Sequence, residues 1–246
     1  MVYFRKLKFK IGNLYRYLTR PWLQLEVPVE KVTNIFGCNF GPNGWHPIVE
    51  TIREYETNRD ISFEETTLFK YHNNFEPSNT NSLLNASVYC NLPLFVYPWG
   101  TFSDGSLTTT KEANKSRFCG PSSNEFISKE YVKIIDLYEK IKGTGYQPEV
   151  FPHSYMGGTV LKRKDGDFRF VVMQGNHRMA VFSFLGYNKI AVRLIGQALH
   201  YVREEELLEW PGVRENLCTA DDAQRVFDSF FEEDGQHIKS RLPELS

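Results

Sequence analysis

Gly175, Asn176, His177 and Arg178 stand between the apolar run "FRFVVM" and the almost wholly apolar stretch "MAVFSFLG". That junction has the residues for anion chemistry. A helix starting there exposes first-turn N–H groups that need acceptors. Gly175 allows close approach of the backbone to a ligand, and Asn176 is suited to the N-cap. His177 and Arg178 then meet the positive end of the helix dipole. A phosphate answers all of these groups at once. Arg178 would hold its oxygens in a bidentate fork, and His177 would donate to one more. The competing use is structural, with Asn176 capping the helix and Arg178 paired to a surface carboxylate.

Other residues are weaker candidates. His153, in "EVFPHSYMGG", precedes the hairpin that leads to the junction, and His46 follows Trp45 in a Gly-rich turn. Each is either a site residue or packing. Tyr97 and Trp99, in "YPWGTFSDGS", could stack on a sugar or nucleobase with Ser103 and Asp104 nearby, or simply anchor a loop. The same choice applies to Trp210 in "WPGV". His72, His200 and His237 show no partner pattern.

These residues need a scaffold. "LQLEVPVEKV" (23–32) alternates like a strand, "GPNG" (41–44) is a turn, and Pro47 can open a helix with Ile48, Ile52 and Tyr55 on one face. Residues 57–122 are rich in Asn, Ser, Thr, Pro and Gly and are expected to be largely loop. Ser122 with Glu125 fits a capping box before Ile127, Tyr131, Ile134, Tyr138 and Ile141 at helical spacing, with Gly143 as the stop. A hairpin turns at Asp165–Gly166. The helix after Gly175 closes at Gly186, and "KIAVRLI" is a strand. Thr219 with Asp222 caps a helix whose Val226, Phe227, Phe230 and Phe231 form an apolar face.

The order is α+β (mixed α/β), without tandem βαβ units or internal repeats. The chain divides into a basic N-terminal arm (1–22), a core of 23–200 with an insertion at about 37–122, and a helical C-terminal extension (201–246). With 246 residues, 41% hydrophobic and 15% aromatic, it can form a real core. A net charge of -1 gives no general attraction to nucleic acid. Cys38, Cys90, Cys119 and Cys218 lack metal-ligand spacing and read as reduced cytoplasmic thiols. No apolar run approaches the roughly 20 residues of a membrane span. The arm carries Arg5, Lys6, Lys8, Lys10, Arg16 and Arg20 without an acid, and lacks the apolar run of a signal peptide. It suits a solvated arm or a peripheral contact with an anionic membrane or acidic partner.

The stretches "LEVPVEKV", "IIDLYEKIKGTGYQPEV", "KRKDGDFRFVVMQGNHRMAV" and "FLGYNKIAVRLI" together resemble the ParB/sulfiredoxin superfamily in order and spacing. They span residues 24–35 and 126–195, under half of the chain. The resemblance implies a ParB/sulfiredoxin-like core that binds nucleotide phosphates at the Gly-x-His-Arg box. Sulfiredoxin has its cysteine where this chain has Asn176, so sulfinic reduction is not expected. No basic recognition helix follows residue 195, so DNA binding is not expected either. The free serine kinases of this fold carry Asp-Gly-His-His-Arg, and "QGNHR" is similar to that box with Gln174 in place of the acid. A kinase acting on a small hydroxyl acceptor, such as a sugar or amino acid, is therefore the implied function. ATP or ADP, or else CTP, would be bound by Gln174, Gly175, Asn176, His177, Arg178 and His153, together with Mg²⁺. Glu50 and His177 would be catalytic, with Glu26 and Glu30 as further carboxylates by family position. The alternative is a non-catalytic nucleotide-dependent partner module.

Overall fold

A computed structural model of the chain describes residues 24–100, 118–146, 155–195 and 201–243. Strand β1 (Gln24–Pro28), a 3-10 turn (Val29–Lys31) and β2 (Val32–Asn34) come first. Helices α1 (Pro47–Thr57), α2 (Thr67–Asn74), α3 (Thr80–Leu84) and α4 (Asn124–Thr144) follow. Strands β3 (Met156–Lys162) and β4 (Phe168–Gln174) lead to α5 (Asn176–Phe184). After it come β5 (Lys189–Leu194), β6 (Tyr201–Arg203), α6 (Pro211–Arg214), α7 (Ala220–Glu232) and α8 (Gln236–Lys239). The fold is mixed α+β, as expected.

The sheet runs β1-β5-β3-β4-β2. The β1–β5 and β3–β4 pairs are antiparallel, whereas β2–β4 and β3–β5 are parallel. β6 takes over from β5 beside the second half of β3, pairing Val160–Lys162 with Tyr201–Arg203. The single strand expected over 23–32 is broken. Pro28 ends β1, and the turn after it lets the chain pair again at the opposite end of the strand order. Four residues reach at most about 14 Å. A flat sheet would separate those ends by roughly 19 Å, so the sheet curls.

Period-two alternation sends neighbouring strand residues into different cores. Val160, Phe170 and Val172 join Ile52, Ile134, Tyr138 and Phe182 on one face. Leu161, Val171 and Val202 face Trp99, Trp210, Phe227 and Phe230 on the other. The second cluster is built from the insertion and the C-terminal segment, which closes that face with β6 and α7.

The insertion is less irregular than its composition suggests. Thr66 caps α2, and an Asn79–Ser82 capping box opens α3. Helices this short hold through caps and packing rather than propensity. α4 starts one residue later than expected, with Ser123 accepting from the Phe126 N–H. The hydroxyl of Ser122 is instead 3.1 Å from Nδ1 of His72. Gly145, at φ 71°, closes the helix rather than Gly143. The Asp165–Gly166 turn and the Thr219 cap occur as expected. No helix among the described residues is long and apolar enough to cross a membrane.

Candidate functional site

β4 delivers the chain to the head of α5 through Gly175, whose φ is 96°. A Cβ there would lie 2.9 Å from Cγ of Met156, so glycine is required on both conformational and steric grounds. Gly175 is itself the N-cap, and no side chain caps the helix. Asn176 is thus the first helical residue rather than the cap, and its Oδ1 is buried without a hydrogen-bond partner. Met179, Ala180, Val181 and Phe182 anchor the helix in the core. Its uncapped end is therefore held rigidly at the rim of a cleft.

That cleft encloses about 960 Å³. Its polar wall contains Gln174, Gly175, His177 and Arg178 from the β4–α5 junction, with Glu130 and Lys133 from α4. The rest of the lining is largely apolar and aromatic, including Phe36, Leu68, Tyr71, Phe118 and Phe126. Oε2 of Glu130 lies 3.2 Å from Nε2 of His177, and its Oε1 accepts from Nζ of Lys133 at 2.5 Å. The hydrogen bond from His177, together with Lys133, outweighs burial and lowers the Glu130 carboxyl from 4.5 to about 2. Burial pushes the Arg178 guanidinium below its ordinary value, yet an arginine stays charged throughout the physiological range. A half-desolvated cation at a helix N-terminus favours an anion beside it.

Two more histidines reach the cleft. His46, 4% exposed, caps α1 by accepting from the Ile48 N–H at 3.2 Å, and Phe40 stacks on its ring at 4.5 Å. Its Nε2 faces Nδ2 of Asn34 at 3.1 Å, the Asn34 Oδ1 being committed to the N–H groups of Phe36 and Cys38. A neutral imidazole has one acceptor nitrogen, so only one of these two contacts is a full hydrogen bond. A protonated ring would lose both. Burial, reinforced by His177, accordingly lowers its pKa to about 3. His72 lies beside Ser122, and burial lowers its pKa to about 4.

The structure brings Gln174, Gly175, Asn176, His177, Arg178 and His46 into one wall. It places Glu50 outside that wall, paired with Arg53 one turn along α1. Glu26 bridges to Lys189 at 3.3 Å across the β1–β5 edge, and Glu30 is exposed in the 3-10 turn. His153, Ser103, Asp104, His200 and the basic arm lie outside the described residues. Tyr97 and Trp99 are packing residues, stacked on each other at 5.4 Å, with Trp99 edge-on to Trp210 and Phe227. His237 is buried against Glu233 and the Leu83 carbonyl.

Glu130, Lys133 and His72 were not among the sequence candidates. A signal existed on α4, where Phe126, Glu130, Lys133 and Leu137 form one i, i+4, i+7, i+11 stripe that lines the cleft. Two charges set between apolar residues on a single stripe mark a face that is neither core nor open solvent.

The depressed Glu130 pKa has a measurable consequence. A carboxyl lowered on folding contributes stability above its unfolded value, and that contribution is lost as the pH falls through the folded value. The stability difference between wild type and Glu130→Gln should therefore shrink between pH 4.5 and about 2. Denaturant titrations across that range measure it, and a difference independent of pH contradicts the pairing.

Among the described residues, no group of three or more His, Cys, Asp or Glu side chains is arranged to hold a metal ion. A scan against protein-family models and searches against curated proteins and solved structures return no match.

Proposed function

We propose that the cleft binds a nucleotide by its phosphates and that the protein transfers a phosphoryl group to a small hydroxyl-bearing acceptor such as a sugar or amino acid. The observation that carries this reading is the uncapped end of α5 opening beside Arg178 and Lys133. The helix end alone contributes about 0.3–1 kcal/mol for an anion. Each hydrogen bond to a charged group adds about 1.5–3 kcal/mol. The side chains therefore dominate, and a polyphosphate uses more of them than a single carboxylate can. The resemblance to the free serine kinases of the ParB/sulfiredoxin superfamily points the same way. Phosphoryl transfer needs positioning and charge neutralisation more than covalent help.

Mg²⁺ prefers oxygen ligands and commonly arrives on phosphates with one or two protein carboxylates. Among the described residues the one carboxylate of the lining, Glu130, already holds His177 and Lys133, so the wall supplies no free carboxylate and an ion would arrive on the nucleotide's phosphates. When bound, it would neutralise phosphate charge.

One observation favours a second reading. Glu130 is the sole carboxylate among the described wall residues, it already holds two basic groups, and Gln174 brings no charge. A cleft so poor in free acid would also suit a module that binds ATP or CTP without transferring phosphate.

Calorimetric titration with ATP, ADP and CTP in Mg²⁺, followed by turnover assays with pooled sugars and amino acids, separates these readings. Acceptor-dependent turnover supports the kinase. Tight binding without turnover assigns the switch, and no nucleotide binding removes both. In the same assays Glu50→Gln should behave as wild type, because Glu50 lies outside the cleft wall. A tenfold or larger loss of turnover would return Glu50 to the mechanism.

A further inference from the structure

We infer that His177 is the general base toward the acceptor hydroxyl, with Glu130 as the positioning residue that holds its ring in the required tautomer. This rests on the phosphotransferase reading and makes specific the catalytic place expected for His177 in the sequence, in preference to its expected contact with phosphate.

The contact with Glu130 bears on where the proton sits. An ionised carboxylate only accepts hydrogen bonds. Oε2 of Glu130 lies 3.2 Å from Nε2 of His177, and a lone pair there would face the carboxylate's own lone pairs, so the contact favours the hydrogen on Nε2. The lone pair of the neutral ring is then on Nδ1, which makes no hydrogen bond among the described residues. The side chain is 35% exposed and lines the cleft, which leaves Nδ1 as the ring nitrogen to meet a ligand proton. A carboxylate behind one ring nitrogen and a reacting proton before the other is the arrangement that keeps a histidine base oriented and then stabilises the imidazolium.

Lys133 holds the second oxygen of Glu130 and so fixes the carboxylate in turn. Arg178, next in the chain and also in the wall, remains the phosphate ligand. The charged and titratable groups around His177 are Glu130 and Lys133 on α4, Arg178 on its own helix, His46 at the head of α1 and His72 on α2. Burial keeps the last two neutral, so neither places a like charge beside the imidazolium.

In the step, the acceptor O–H proton passes to Nδ1 of His177 while the acceptor oxygen forms its bond to phosphorus. The bond from phosphorus to the bridging oxygen of the nucleotide breaks, and its electron pair leaves with the shortened nucleotide. Glu130 then faces a doubly protonated ring without itself taking the proton.

Two measurements test this. Long-range proton–nitrogen correlation spectra of histidine-labelled protein, recorded where the ring is neutral, should show His177 as the Nε2–H tautomer. Glu130→Ala should lose that preference. If that variant fails to fold, Glu130→Gln replaces it. Its amide oxygen still accepts from Nε2–H, so the tautomer should persist while the counter-charge is gone. A wild-type ring in the Nδ1–H form overturns the lock, whatever the reaction.

Kinetics with ATP and the acceptor pool give the second readout. His177→Ala should lower kcat by about 100-fold, the lower end for a positioned base, and Glu130→Gln by about tenfold or more. Both should leave ATP affinity unchanged, and the double variant should lose little beyond His177→Ala because the pair acts as a unit. If either single variant loses ATP binding instead, the dyad is a binding element and the base assignment fails. If wild type binds ATP but turns over with no acceptor, the base role and the kinase reading fail together. The tautomer result then still decides the positioning claim.

Discussion

Phe227→Ala should destabilise the protein by about 3–5 kcal/mol, the range for removing a fully buried aromatic side chain. Phe227 is 0% exposed and sits between Trp210 at 5.5 Å, Trp99 at 5.9 Å and Phe231 at 5.1 Å. Stiff rings around the vacated volume cannot collapse into it easily, which favours the upper half of the range. Against a total stability of about 5–15 kcal/mol for an ordinary domain, this is a large fraction. The residue belongs to the C-terminal segment, but Leu161 of β3, Val171 of β4 and Val202 of β6 share its cluster. Unfolding should thus remain one cooperative transition, shifted as a whole in a urea titration. A second transition carrying the entire loss would show that the C-terminal segment folds separately. A loss below 1 kcal/mol would show that this face of the sheet is not a core. Ligand binding by the folded fraction should be unchanged, since no residue of this cluster lines the cleft.

That second core also shows what the sequence could and could not reveal. Val226, Phe227 and Phe230 were legible as one face of a capped helix, because thirteen residues provide several turns of periodicity. The Asp165–Gly166 hairpin was legible for a local reason, as Gly166 adopts φ 92°. What covers the apolar face of α7 was not legible. Tyr97 and Trp99 meet it from more than a hundred residues away, and a Pro- and Gly-flanked aromatic pair looks the same whether it binds a ligand or fills a core.

The cleft divides in the same way. The stretch of the lining from Gln174 to Arg178 is contiguous in the chain and could be read directly. Its partners Glu130 and Lys133 are ordinary helix charges until α4 crosses α5, and His72 follows Leu68 and Tyr71 on a helix too short to announce itself. Glu50 was chosen by family position, but of the first turn of α1 it is Pro47 and Ile48 that line the cleft, and Glu50 does not. The break at Pro28 was missed because alternation continues through it. A missing N–H becomes decisive only once the two halves are seen to pair with opposite ends of the strand order.

Arg178→Ala is expected to weaken nucleotide binding by about 1.5–3 kcal/mol, or roughly 10- to 150-fold, while leaving the fold nearly intact. The affinity loss follows from the loss of a charge-assisted fork beside the α5 N-terminus. Stability should change little because two effects oppose each other. The guanidinium is partly desolvated, as its lowered pKa reflects, so removing it relieves a burial cost while forfeiting its local contacts. α5 stays anchored through Met179, Ala180, Val181 and Phe182. Arg178→Lys should fall between the two, retaining the charge without the planar fork. Raising ionic strength should weaken wild type more than Arg178→Ala, since the variant has less charge to screen. Calorimetry with ATP at two salt concentrations measures all three proteins. Unchanged affinity in a folded Arg178→Ala would mean that Lys133 and the helix end hold the ligand alone, and the phosphate grip assigned to this box would be wrong. A loss confined to nucleotides, absent for a neutral acceptor, would locate the phosphates at the head of α5 and leave the aromatic wall for the rest of the ligand.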